Sequence, residues 1–390
     1  MGFFKGLSLF FREMADYNKL IDPNNSDITE LVFYSESAIY YQYYEGLIDE
    51  LLQFSNIKIC YITSDPNDPV FDKASDKFKP FYINTTLNSL IKVLNSKIII
   101  FTMPDLDNFY IKRSNNPNVK HLYMFHGVGS TFLQYNREAF SHYDTIFCVG
   151  EHHYEEIQKS EQIYSQKPKE LIKTGYYRLE KIYNYHKEYL TQNIDSKTSK
   201  QILIAPSWNK DSILDLKSCI EDIINQLDGS EYEVIIRPHP EFIKRRNKRV
   251  NEIAKLLKKS KNIKLELDMV SGVSIYSADL LITDWSSICY EYAFGTERPV
   301  LFINTPTRID NPNYREVEME PIEFISRTEL GDSLDLDKIG NIKNLIKELL
   351  FNREEYLGKI IAFREKYVYN WLSSSKVEAK YILDNLTKNT

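Results

Sequence analysis

Short apolar runs alternate along the chain with longer segments whose apolar positions recur at helical spacing. "ELVFYS" (30–35), "IKICYIT" (57–63), "KIIIFTM" (97–103), "HLYMFHG" (121–127) and "TIFCVG" (145–150) read as buried strands. "AIYYQYYEGLIDELLQF" (38–54), "LNSLIKVLN" (87–95) and "EHHYEEIQKS" (151–160) read as helices. Strands and helices in turn, with short connections, are the signature of a parallel α/β sheet. "YLTQNIDSKTSK" (189–200) has no apolar period and reads as a linker. The rhythm then restarts with "QILIAPS" (201–207), the helix "LDLKSCIEDIINQL" (214–227), "YEVIIRPHP" (232–240) and the helix "NEIAKLLKK" (251–259). "IKLEL" (263–267), "ADLLITD" (278–284) with its helix, and "RPVLFIN" (298–304) follow, and the remainder is helical, including 341–350 and 377–386. The pattern predicts two Rossmann-like lobes, 1–195 and 196–350, whose parallel sheets face a cleft. Residues 351–390 are expected to form C-terminal helices that pack back on the first lobe.

Composition narrows the class. With 390 residues, 43% hydrophobic and 27% charged, the chain reads as soluble and globular, and its net charge of −6 argues against general nucleic-acid binding. The basic stretch "KRRNKR" (244–249) is the local exception, either a solvated helix face or a patch for anionic lipid or polymer. Cys60, Cys148, Cys219 and Cys289 lie among apolar neighbours with no paired spacing, so reduced thiols of a cytoplasmic protein are expected, without zinc. No apolar run is long enough to span a bilayer. "MGFFKGLSLFFREM" is broken by Lys5, Arg12 and Glu13 and is no signal peptide; it reads either as a membrane-lying amphipathic helix or as a helix packed on its own domain.

Ligands of open α/β sheets bind beyond the carboxyl ends of the strands, so those ends are where chemistry is sought. "HGVGS" places His126 beside Gly127 and Gly129, where the backbone can turn sharply and approach a ligand and the imidazole can act as a base. "RPHP" holds His239 between Pro238 and Pro240, with Arg237 able to fork onto phosphate oxygens. "IAPSWNKD" ends a strand at Ser207 and Trp208, and "KTGYYRLEKI" (173–182) offers Gly175 and Arg178. In "LITDWSSICYEYAF" (280–293) a strand passes into a helix through Thr283, Asp284, Trp285, Ser286 and Ser287. That small polar turn either caps the helix or presents the helix N-terminus to a phosphate. His121, His142, His152, His153 and His186 read as structural or surface residues, and no metal-ligand spacing appears.

In this order, "HGVGS", "GYYRLEKI", "IAPSW", "IIRPHP" and "ITDWSSICYEYAF" resemble the motifs of the CDP-glycerol glycerophosphotransferase family of teichoic acid and capsule synthesis. The resemblance runs roughly over residues 120 to 305 and implies a GT-B-like fold. It also implies a transferase moving a polyol phosphate from a CDP-activated donor to a hydroxyl of a lipid-linked or polymeric saccharide acceptor, releasing CMP. No cofactor and no metal are called for, and the implied setting is cytoplasmic, at the inner face of the membrane. His126 and His239 take the catalytic places. Donor binding falls to Arg237, Thr283, Asp284, Ser286, Ser287, Ser207, Trp208, Gly127 and Gly129, with Glu291 placed as a ribose-binding acid by position. The chain departs from the family where Val128, Gly129 and Ser130 follow the histidine turn and where "INTPTRIDNPNY" (303–314) stands. Ribitol or another alditol is therefore an alternative to glycerol. A nucleotide-sugar glycosyltransferase of capsule or lipopolysaccharide assembly, or a non-catalytic binding partner, are the rival readings.

Overall fold

The computed structural model describes residues 2–193, 199–269 and 271–387. The first sheet comprises β1 (Leu31–Ser35), β2 (Ile59–Thr63), β3 (Phe78–Tyr82), β4 (Ile98–Phe101), β5 (Lys120–Met124), β6 (Thr145–Cys148) and β7 (Glu170–Lys173). Its order is β3-β2-β1-β4-β5-β6-β7 and every pairing is parallel. The second comprises β8 (Gln201–Ile204), β9 (Glu233–Ile236), β10 (Ile263–Leu265), β11 (Leu280–Thr283), β12 (Val300–Asn304) and β13 (Gly331–Asp335). Its order is β10-β9-β8-β11-β12-β13, again all parallel. This is the expected two-lobed α/β architecture.

The inner strands are apolar on both faces because helices cover both sides of each sheet. β1, β2, β4, β6 and β11 are buried at every residue. The helix Lys217–Leu227 shows why its sequence folds so: Cys219, Ile220, Ile223, Ile224 and Leu227 fall on one face and are buried there. Three strands escaped the hydrophobic pattern, and all three are sheet edges. β3 contains Pro80, which lacks the N–H that an inner strand must donate and is tolerated at an edge. β7 has no buried residue, and β13 reads Gly-Asp-Ser-Leu-Asp with only Gly331 and Leu334 buried. An edge strand covers less apolar surface, so its sequence carries less of the signal.

Of the expected linker 189–200, the first residues continue the helix Tyr177–Gln192, and 194–198 lie outside the described residues. That helix packs on the helix Ile288–Thr296 of the second lobe, and one apolar core runs through both lobes there, holding Leu179, Ile182, Tyr292 and Phe294. The helix Arg353–Tyr367 anchors to the second lobe through Arg364, which donates to the Phe294 carbonyl (2.8 Å) and pairs with Glu297 (3.1 Å). The chain then crosses back. Tyr369 N–H donates to the Val149 carbonyl (2.8 Å), and the helix Ser374–Thr387 buries Ala379, Ile382 and Leu386 in the core formed by β1 and the helix Tyr41–Phe54. Among the described residues no helix is long and apolar enough to cross a membrane.

Candidate active site

Register brings the second lobe's motifs together. Ile204 on β8 pairs with Ile236 on β9 and with Ile282 on β11, so three strands end level. The residues just beyond them, 205–208, 237–241 and 284–287, therefore emerge side by side where the strand order reverses. The His126 loop leaves β5 opposite them. Between the lobes lies a cleft of about 440 Å³ lined by His126, Gly127, Gly129, Trp208, Arg237, His239, Ser286, Ser287 and Glu291, among others.

The two histidines are held in complementary states. His126 Nδ1 lies 3.0 Å from the Thr102 carbonyl, which can only accept, so Nδ1 carries the proton and Nε2 keeps a lone pair. His239 caps the short helix Pro240–Arg245, and its Nδ1 accepts the Glu241 N–H (3.1 Å), so its proton sits on Nε2. Pro240 at the first helical position fits this turn, since its missing N–H would lack a partner there. Burial lowers the pKa of His126, against the Thr102 bond. For His239 burial, with Arg308 and His126 adding to it against Glu241, lowers the value to about 4. Both rings are neutral near pH 7. Tyr40 and Tyr43 pack on His126, with ring centroids 5.9 and 5.8 Å away, and Trp208 lies 6.3 Å from His239.

The turn after β11 separates scaffold from surface. Thr283 donates to the Ala205 carbonyl (2.7 Å). The Asp284 carboxylate accepts the N–H groups of Ser207 (2.7 Å), Trp285 (2.7 Å) and Ile213 (3.0 Å). The Ser207 hydroxyl donates to Asn209 (2.6 Å). Thr283, Asp284 and Ser207 are thus buried braces behind the cleft wall and do not line it, a correction to the sequence expectation. Their polar atoms are engaged because the loops after β8 and β11 must be tied to each other. Ser286 and Ser287 differ. The helix Ile288–Thr296 begins with no side-chain cap, and neither hydroxyl bonds a described residue. The capping alternative therefore fails, and two hydroxyls and a helix N-terminus face the cleft.

Arg237 also departs from expectation. Its guanidinium pairs with Glu266 (2.5 Å) and donates to the carbonyls of Asp268 (3.0 Å) and Met269 (3.3 Å), so its charge braces the loop after β10. The cation beside His239 is Arg308, which pairs with Asp310 (2.6 Å) and lies over Trp208 (5.5 Å). Glu291 lines the cleft but is paired with Arg178 (3.4 Å) and accepts from the Tyr176 hydroxyl (3.5 Å). Neither cleft glycine has a positive φ, although the chain bends at His126 and at Gly129. Gly127 gives room instead: a Cβ there would stand 3.7 Å from Ser287 Oγ across the cleft. The basic stretch is engaged locally, with Lys244 and Arg245 on Glu241, Arg246 on Asp215 and Arg249 on Glu252. Applied to β1 and β12, the strand-end search would have found Tyr40, Tyr43 and Arg308. Among the described residues no group of three or more His, Cys, Asp or Glu could hold a metal ion.

Two parallel sheets facing one cleft, with uncapped serines at the switch point, define a GT-B-like protein. The solved structures agree on the fold: the wall teichoic acid polymerase TagF matches at TM-score 0.63 and 16% identity over 98% of both chains. The UDP complex of MnaA from S. aureus matches at TM-score 0.57 and 13% identity, over 92% of this chain and 98% of that one. The sequence pattern of the CDP-glycerol:poly(glycerophosphate) glycerophosphotransferase family matches residues 28–370, and the chain belongs to that family. The teichoic acid glycerol-phosphate primase of Bacillus subtilis (strain 168) is 25% identical over 245 residues, which cover 55% of this chain and 58% of that protein.

Proposed function

We propose that this protein transfers a polyol phosphate from a CDP-activated donor to an acceptor hydroxyl in cell-surface polymer synthesis. The carrying observation is the pair of neutral histidines with opposite free nitrogens. His126 Nε2 takes the proton of the acceptor hydroxyl as its oxygen attacks the phosphorus that bears the polyol. The bond from that phosphorus to the bridging oxygen breaks, and CMP leaves with the bridging oxygen. His239 Nε2–H and Arg308 offset charge on the transferring phosphoryl group or on CMP. Ser286, Ser287 and the helix N-terminus behind them hold the pyrophosphate. Glu291 is left for the ribose only if it shares its carboxylate with Arg178. The test is a screen for CMP release from CDP-glycerol and CDP-ribitol, with UDP- and CMP-sugars alongside. Turnover of a sugar nucleotide with both CDP-alditols inert would refute the reading.

The finer proposal is a lipid-linked or polymeric acceptor met at the inner face of the cell membrane. The helix Gly2–Ile21 supports it. One side docks: Glu13 accepts the N–H groups of Asn84 (3.0 Å) and Thr86 (2.7 Å), and Asp16 accepts that of Tyr82 (3.0 Å). The other side leaves Leu7, Phe10 and Phe11 exposed, Phe11 at 63%. Phe109 and Tyr110 are also exposed, and the Tyr110 hydroxyl donates to the carbonyl of Thr85 (3.1 Å), in the segment on which the helix docks. An apolar face of this kind suits the interface of a bilayer.

A further inference from the structure

The loop that carries His126 is gripped by side chains from both lobes. From its own lobe come three residues of the helix Glu151–Ile163. His152 and His153 donate through Nε2 to the carbonyls of Val128 (2.7 Å) and Gly129 (2.9 Å). Glu156 accepts the N–H (2.6 Å) and the hydroxyl (2.7 Å) of Thr131. Burial keeps both histidines neutral, with His152 lowered to about 4, and pushes the Glu156 carboxyl up to about 8. The fourth side chain is Glu323, from the helix Ile322–Leu330 of the second lobe. Its Oε1 accepts both the Ser130 N–H (3.0 Å) and a Gln134 side-chain N–H (3.0 Å), while the Ser130 hydroxyl accepts the Ile322 N–H (2.8 Å).

Two observations set this contact apart from ordinary packing. A Cβ on residue 129 would lie 1.9 Å from Gln134 Nε2 and 2.6 Å from Glu323 Oε1, so a larger residue there would push the ends of these two side chains out of their present contact. Glu323 is also a poor choice for stability alone, because its Oε2 is buried with no partner. A buried carboxylate with one idle oxygen costs free energy that an apolar residue of similar size would not.

We propose that Glu323 is a positioning residue for transfer: from the second lobe it holds Ser130 and Gln134, fixing the His126 loop relative to Ser286 and Ser287 across the cleft. The base then stands in line with the donor only while the lobes are joined through this carboxylate. The proposal rests on the reading of His126 as the base. A misplacement of about 1 Å at such a group can cost about a hundredfold in rate.

Glu323→Ala, Glu323→Gln and Gln134→Ala in the full chain test it by two independent readouts. Hydrogen exchange of the free protein should quicken in Glu323→Ala at residues 126–134 while the first sheet is unchanged, and Gln134→Ala should do so more weakly. With the working CDP-alditol, kcat should fall about 10- to 100-fold in Glu323→Ala with the donor KM within about threefold. Glu323→Gln keeps an acceptor oxygen and should recover most of kcat. Unchanged exchange in the loop overturns the proposal. So does a raised donor KM at unchanged kcat, or a glutamine variant no better than alanine. If the wild type turns over no CDP-alditol, the functional reading fails instead, and the exchange result alone decides whether Glu323 fixes the loop.

Discussion

The loop after β5 and the turn after β11 face each other across the cleft, and they treat their polar groups in opposite ways. Around His126 the backbone is tied down: carbonyls of Val128 and Gly129 meet histidines, and the N–H groups of Ser130 and Thr131 meet glutamates. At Ser286 and Ser287 the braces stop one residue short: the helix start has no side-chain cap, and the two hydroxyls have no partner among the described residues. A group that must move a proton needs a fixed position, whereas a turn that receives an anion needs donors still to be satisfied. The proposed roles follow that division.

The comparison can be broken most sharply at the histidines. His126→Ala and His239→Ala should each lower turnover about a hundredfold or more, the range for losing a positioned acid or base. Near-normal turnover in either would remove that residue from the chemistry. Next, Ser286→Ala with Ser287→Ala should weaken binding of the CDP-alditol about tenfold or more, as for charge-assisted bonds to phosphate. Cytidine binding and melting temperature should hardly move, because no cap is lost. An equal loss for both ligands in calorimetry, or a fall in melting temperature alone, would make the serines structural.

A smaller effect concerns pH. Burial lowers the pKa of His126 below the usual 6.5, and the base works when unprotonated. Its active form is therefore complete above pH 6.5 and is lost only as pH falls through the lowered value. The acid limb of kcat should lie below 6.5; an inflection above 7 in stopped assays would assign the titration to another group. Smallest is the membrane contact. Phe11→Ser should reduce partition onto anionic liposomes about tenfold or more, since burying one such ring contributes about 1.5–3 kcal/mol. Turnover of a soluble acceptor should be unaffected, and unchanged partition in a flotation assay would leave this face without a bilayer.

How much of this was legible differs by kind of residue. Inner strands such as "KIIIFTM" and "LLIT" announce themselves because both faces are buried, while edges such as "GDSLD" do not. His126, His239, Ser286 and Ser287 were found because strand-end motifs locate the mouth of an α/β sheet. Arg237 and Glu291 line the cleft and Asp284 lies behind its wall, but their partners were not readable: Glu266 lies on another loop, Ser207 beyond a neighbouring strand and Arg178 on the other lobe.

The sequence by itself determined two α/β lobes, the order of the strand-end motifs and the family to which the chain belongs. These depend on periodicity and on short segments, which adjacent residues encode. The tertiary structure decided which polar groups are already bound and which remain to meet a ligand. That is a matter of contacts between residues far apart in the chain, such as Glu323 with Ser130, where a single oxygen accepts an N–H from the opposite lobe.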